Sequence, residues 1–315
     1  MNSPDRREVE HEITVAAPAA AVYGVIADVR HWPEMFPPTV HAEYVERNGR
    51  EERIRIWATA NGEAKSWTSR RMLDGEQFRI DFRQEVSTAP VAEMGGTWLV
   101  EPLSPRESRV RLLHYFRAVD DDPASLSWID RAVDTNSHAE LAALKNSVEL
   151  AADDQGGCKL SFEDTIRAEA TAKDMYDFIN EAQLWDERLP HVSWVSLSES
   201  APGLQTLTMD TRTKDGDTHR TESVRVCLPN HTIVYKQITL PALLALHTGS
   251  WRFVETESGV IATSRHTVVI DPEKVTDVLG ADADVAKARE FIRNALGANS
   301  RATLGHAREY AESRR

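Results

Sequence analysis

Val22–Pro37, VYGVIADVRHWPEMFP, is written twice in this chain: Met175–Pro190 reads MYDFINEAQLWDERLP. The two stretches align without a gap at an offset of 153 residues, with Tyr23 on Tyr176, Ile26 on Ile179, Trp32 on Trp185 and Pro37 on Pro190. The same offset brings Phe82-Arg83-Gln84 onto Tyr235-Lys236-Gln237 and Gly96-Thr97-Trp98 onto Gly249-Ser250-Trp251. One residue out of step, Leu112-Leu113-His114 meets Ser264-Arg265-His266; after an insertion, Asn136-Ser137 returns as Asn299-Ser300. Repeats of about 20 to 50 residues signal solenoids, whereas a unit of half the chain signals a duplicated domain. Residues 1–152 and 158–315 are therefore expected to be two copies of one fold, with Asp153–Gly157 as the linker.

Composition fits two globular domains. The 315 residues are 41% apolar and 28% charged, enough for each half to bury a core. No apolar run approaches the ~20 residues of a membrane span, and the opening MNSPDRREVEHE lacks the layout of a signal peptide. Cys158 and Cys227 are too few for a disulfide framework or a thiolate metal site, which points to a reducing cytoplasm. A net charge of −13 argues against nucleic-acid or anionic-membrane binding. No metal-ligand spacing, phosphate loop or nucleophile elbow stands out, so neither metal nor organic cofactor is expected.

Along the chain, Val9, His11, Ile13 and Val15 alternate as a strand. Pro18 opens a helix through Ala27, since proline loses nothing in a first helical turn. Trp32-Pro33 and Pro37-Pro38 are expected to stop helical structure and leave an aromatic connection. From Thr39 to Val119, period-two strands are parted by turn signals at Asn48-Gly49, Asn61-Gly62, Asp74-Gly75, Gly95-Gly96 and Pro102–Pro105. That pattern predicts an antiparallel meander of five or six strands. A long helix from Pro123 to about Leu150 closes the unit, and its counterpart runs from about Asp284 to Glu312. The fold class is α+β, a curved sheet gripping one long helix, with a cavity wherever the two surfaces fail to meet.

In Lys65-x-Trp67-x-Ser69-x-Arg71, alternation puts all four named side chains on one face. If Trp67 points inward, Arg71 is a guanidinium in an aromatic-walled space, with Phe36, Trp57 and Trp98 as further wall residues. No committed carboxylate lies nearby in its strand, so a ligand oxygen is a candidate partner. The alternative is that Arg71 lies at the strand end and its head reaches water.

Trp32-Pro33-Glu34-Met35-Phe36, then Trp67-Thr68-Ser69-Arg70-Arg71, then Gly96-Thr97-Trp98, resembles the aromatase/cyclases of bacterial type II polyketide synthases. These belong to the START/Bet v 1-like helix-grip superfamily, and the resemblance covers both halves, as in the didomain members. It implies two tandem helix-grip domains and cyclisation with aromatisation of the first ring of a poly-β-ketone. The substrate would be borne on an acyl carrier protein, usually after one ketone has been reduced, with other synthase subunits as partners. It implies that Arg71 is the essential arginine, Ser69 its neighbour, and Phe36, Trp67 and Trp98 the pocket wall. Where relatives have a pocket tyrosine and a late-strand glutamine, this chain has Thr39 and His114. His114 is either part of the proton relay or a neutral core histidine. The different-class alternative is a non-catalytic carrier or chaperone of a hydrophobic ligand or polyketide intermediate.

The second copy allows two registers. Ser223-x-Arg225 aligns on Ser69-x-Arg71 with a one-residue slip; the strict offset places Arg220 and Glu222 inward instead. His191, Trp251 and His266 are other candidate lining residues. The arginine sets 50/53/55 and 106/109/111 are candidates for a basic rim that steers the acidic carrier protein.

Overall fold

The computed structural model describes residues 6–152, 157–212 and 218–314. Most of the expected linker, residues 153–156, lies outside them. The chain divides into two compact units, Met1–Gln155 and Gly156–Arg315.

In the N-terminal unit, β1 (Arg7–Val15) is followed by α1 (Ala19–Ala27) and α2 (Trp32–Met35). Six strands follow: β2 (Thr39–Asn48), β3 (Glu51–Ala60), β4 (Glu63–Asp74), β5 (Arg79–Val86), β6 (Val91–Ser104) and β7 (Glu107–Ala118). The helix α3 (Pro123–Ala152) closes the unit. The sheet order β1-β7-β6-β5-β4-β3-β2 is a meander whose last strand pairs with the first, antiparallel throughout. Ile129, Val133, Leu141, Leu144 and Val148 form the buried stripe of α3. Its last turns are tied to β1 and the segment after it by Lys145 Nζ donating to the Thr14 carbonyl (2.9 Å) and Ala16 N–H donating to the Glu149 carboxylate (2.7 Å).

Two local expectations are corrected. Trp32-Pro33 does not stop helical structure: Pro33 sits in the first turn of α2, where a missing N–H costs nothing. Gly95-Gly96 is no turn but lies inside β6. A Cβ on Gly96 would stand 2.0 Å from the Leu113 carbonyl oxygen and 2.7 Å from the Phe82 ring, so glycine is required for close approach.

The C-terminal unit repeats the plan. β8 (Lys159–Ala168), α4 (Ala172–Asn180) and α5 (Trp185–Arg188) lead into β9 (Val192–Ala201), β10 (Leu204–Arg212) and β11 (Thr218–Leu228). Then come β12 (Thr232–Thr239), β13 (Leu244–Thr256), β14 (Gly259–Ile270), α6 (Val275–Leu279) and α7 (Val285–Glu312). The sheet order β8-β14-β13-β12-β11-β10-β9 is the same meander. The extra residues that shift Asn136-Ser137 to Asn299-Ser300 form the short helical excursion containing α6. Asp284 caps α7 by accepting from Lys287 N–H at 2.8 Å. Among the described residues, no helix is long and apolar enough to cross a membrane.

Candidate active site

Between the sheet and α3 of the N-terminal unit lies a cavity with about 1210 Å³ of empty space, its mouth included. Alternation along β4 sends Lys65, Trp67, Ser69 and Arg71 into it. Phe36 and Trp98, with rings stacked at 5.9 Å, form one wall together with Thr39 and His114, and Trp32 and Phe82, which the sequence did not mark as lining, border it as well. Trp57 is the exception. It points to the opposite face of β3 from Ile54, Ile56 and Ala58, packing on His41 (5.2 Å between rings) and Arg55.

Arg71 is 3% exposed, so its head does not reach water. Nor does it wait for a ligand to neutralise it, because Glu52, directly opposite on β3, forms a buried ion pair with Nη2. Nη2 also donates to the Ala27 carbonyl (2.6 Å) and Nη1 to the Ile26 carbonyl (3.4 Å), with the Trp32 ring 5.4 Å away. The arginine thereby ties the end of α1 to the sheet. Nε is buried with no hydrogen-bond partner. Glu52 also accepts from Arg47 Nε at 3.0 Å. The turn at Asn61-Gly62 could have revealed the pair: a two-residue hairpin loop fixes the β3–β4 register and sets Glu52 against Arg71.

His114 borders the cavity on β7, its ring 5.5 Å from Phe82 in an edge-on arrangement. Its Nδ1 is buried without a partner. Burial, with a smaller contribution from nearby His11, pushes its pKa down to about 4, so the imidazole is neutral at pH 7 and does not titrate near neutrality. The helix adds residues that sequence reasoning left unassigned: Asn136, Ser137 and Glu140 face the cavity from α3. Ser137 Oγ is buried and partnerless, whereas Asn136 donates to the Thr59 carbonyl at 3.0 Å. The recurrence of Asn-Ser in both halves was the available signal.

In the C-terminal unit, Arg225 takes the place of Arg71. Its Nη2 donates to the Ile179 carbonyl at 2.6 Å and its head lies 5.5 Å from the Trp185 ring, the repeat equivalents of Ile26 and Trp32. Ser223 shares its face, and the Ser223/Arg225 register is the one adopted. Arg220 points the other way, exposed and bidentate to Asp210 at 2.8 Å, so it does not line the interior. Gln205 stands where Glu52 stood, opposite Arg225, and Arg225 Nη1 is buried without a partner. Burial lowers the Arg225 pKa. Trp251 is core, 8% exposed. His191 lies just before β9, half-buried; burial and neighbouring His306 lower its pKa.

His266 is the centre of a buried polar group. Its Nδ1 lies 3.0 Å from the Tyr235 hydroxyl and 3.0 Å from His247 Nε2, and its Nε2 lies 2.6 Å from Ser300 Oγ. Of the arginines expected to form basic rims, Arg109 pairs with Glu101 (2.6 Å), Arg111 with Glu10 (2.6 Å) and Arg53 with Glu85 (2.5 Å). Among the described residues, the one group spaced to hold a metal is His11, Asp134 and His138. There His138 Nδ1 donates to the Asp134 carbonyl (2.9 Å) and His11 Nε2 bonds its carboxylate (3.1 Å).

Two curved seven-stranded sheets, each gripping a long helix, one of them around an apolar cavity with orphaned polar atoms, define a tandem helix-grip protein. The chain belongs to the polyketide cyclase/dehydrase family, whose model, described as polyketide cyclase/dehydrase and lipid transport, matches residues 6–149. It is 52% identical, over 94% of its length and 97% of the relative's, to the granaticin polyketide synthase bifunctional cyclase/dehydratase of Streptomyces virginiae. It is 46% identical, over 98% of both chains, to the actinorhodin polyketide synthase bifunctional cyclase/dehydratase of Streptomyces coelicolor. Among solved structures, the di-domain ARO/CYC BexL from the BE-7585A biosynthetic pathway matches with a TM-score of 0.87 at 62% identity, covering 97% of this chain and 99% of that one. The di-domain ARO/CYC StfQ from the steffimycin pathway gives 0.84 at 32% identity, with the same coverage.

Proposed function

We propose that this protein closes the first ring of a ketoreduced poly-β-ketone, presented by an acyl carrier protein of a type II polyketide synthase, and drives the loss of water that makes the ring aromatic. The observation that carries the reading is three orphaned polar groups, Arg71 Nε, His114 Nδ1 and Ser137 Oγ, on residues around one apolar-walled cavity. Each unpaired buried group costs about 1–3 kcal/mol, and such groups cluster where chemistry is done. A carrier of hydrophobic ligands needs none of them.

The wall of Phe36, Trp67 and Trp98 bends the flexible chain so that an enol carbon meets one carbonyl, which is mainly a problem of orientation. The neutral His114 imidazole takes the proton from a carbon between two ketones. The enolate carbon adds to the carbonyl carbon. The new alkoxide is stabilised by the fixed Arg71 guanidinium and a serine hydroxyl, from Ser69 or Ser137, and is then protonated by the imidazolium. Loss of the hydroxyl with a neighbouring C–H proton releases water and leaves the double bond. Glu52 holds the Arg71 fork in place, as an outer carboxylate orients a catalytic group.

The test is reconstitution of a minimal synthase and ketoreductase with and without the protein, with products identified by mass spectrometry and NMR. A single aromatised first-ring product is expected in its presence and a mixture of spontaneous cyclisations in its absence. Identical mixtures in both would overturn the reading.

A further inference from the structure

The two units differ where they should be most alike. By the repeat, the cavity positions Phe82, Met94, His114 and Ser137 correspond to Tyr235, His247, His266 and Ser300. The ladders agree: His114 stands opposite Gly96 as His266 does opposite Gly249, and Phe82 and Tyr235 pair with those same glycines. Each glycine lets its ring lie flat against the strand, since a Cβ on Gly249 would meet the Tyr235 hydroxyl at 2.5 Å. The histidine and serine are kept; a phenylalanine and a methionine have become a tyrosine and a histidine.

The hydrogen bonds give this group a direction. Ser300 Oγ donates its one proton to the Leu296 carbonyl at 2.9 Å, so at 2.6 Å it accepts from His266 Nε2–H. Neutral His266 therefore carries its proton on Nε2 and offers the Nδ1 lone pair to the Tyr235 hydroxyl at 3.0 Å. His247 Nε2 stands 3.0 Å from the same nitrogen and 3.5 Å from the phenol. His247 and His266 are buried, and Tyr235, half-buried, is the outermost residue of the three. In the N-terminal unit the phenol oxygen is missing, and His114 Nδ1 has no partner.

We propose that the C-terminal unit holds a second acid–base site, in which Tyr235 is the catalytic residue and His266, anchored by Ser300, is the positioning residue. Its ligand is a β-hydroxy ketone and its reaction is the elimination of water. The carbon between the hydroxyl and the ketone loses its proton to the tyrosine–histidine pair, the carbon–oxygen bond breaks, and the departing oxygen takes a proton from that pair. Enone and water are formed, with no oxidant and no net proton change. Burial keeps both histidines neutral and raises the Tyr235 pKa, so the phenol is protonated and His266 is free to act as base. The proposal rests on the dehydrating half of the function above.

The test uses the full chain and a synthetic cyclic β-hydroxy ketone, with appearance of the conjugated enone followed by ultraviolet absorbance. This probe needs no ring closure, so its result is independent of cyclisation in the reconstituted synthase. Tyr235→Phe is expected to lower kcat for dehydration about a hundredfold with little change in KM and to keep the wild-type thermal midpoint. His266→Gln keeps an acceptor for Tyr235 and a donor for Ser300 and should retain part of the rate, whereas His266→Leu should not. Wild-type protein inert toward the probe, or Tyr235→Phe as fast as wild type, overturns the proposal. So does Tyr235→Phe protein that dehydrates normally but no longer closes the ring.

Discussion

Glu52 and Arg71 stand directly opposite each other on β3 and β4 and join as an ion pair with both side chains 2% exposed. The pair is a structural commitment as well as part of the candidate site. Its repeat counterpart, Gln205 opposite Arg225, has lost the carboxylate and kept the cation.

Removing one partner leaves the buried Arg71 with no carboxylate, or the buried Glu52 with Arg47 as its remaining cation. Glu52→Gln and Arg71→Ala are each expected to lower unfolding free energy by about 3–5 kcal/mol, read from denaturant midpoints. Arg71→Lys should fare little better, since a point charge cannot serve Ile26, Ala27 and Glu52 together. A midpoint unchanged by Glu52→Gln would contradict the pairing.

Replacing both partners by apolar residues of similar size, Glu52→Leu with Arg71→Met, is expected to recover most of that loss, because desolvation of two charges is no longer required. If the double variant is as unstable as either single one, the pair acts through more than its own charges.

The two histidines make stability depend on pH. Burial pushes His114 and His266 to about 4 from 6.5, so between these values the unfolded chain binds more protons than the folded one. Stability therefore falls as pH drops through that window, by at most about 3 kcal/mol for each histidine. His114→Gln and His266→Gln should each flatten the dependence of the denaturant midpoint between pH 7 and 4.5. An unaltered slope in both would refute the neutral assignment.

Gly96→Ala is expected to cost at least about 3 kcal/mol, because its Cβ would stand 2.0 Å from the backbone oxygen of Leu113, which cannot move aside as a flexible side chain can. Near-normal thermal stability of that variant would show that β6 and β7 do not approach as described.

Much of this architecture was legible from the duplicated stretch and the turn chemistry. Asn61-Gly62 marks a hairpin, Pro18 the entry to a helix, though as its N-cap and not in its first turn, and Asp284 the start of the last one. The face of Arg71 followed from alternation along β4. Its partner did not, because an ion pair belongs to the neighbouring strand, and only the β3–β4 register brings Glu52 opposite. Trp57 was misassigned for a related reason: aromatic character says nothing about parity, and Ile54, Ile56 and Ala58 occupy the inward face. Tyr235 and His247 were readable only by comparison with Phe82 and Met94, whose place in the cavity wall is a three-dimensional fact. Gly95-Gly96 looked like a turn because glycine serves both φ freedom and close approach, and composition does not separate the two.

The central claim is that the N-terminal cavity, with Arg71 as its fixed donor, directs first-ring closure. The measurement that bears on it most directly is the product profile of the reconstituted synthase with the Glu52→Leu, Arg71→Met protein, assayed where its denaturation curve shows it fully folded. The expected result is the mixture obtained with no cyclase at all. Wild-type yield of the single aromatised product from that folded variant would contradict it.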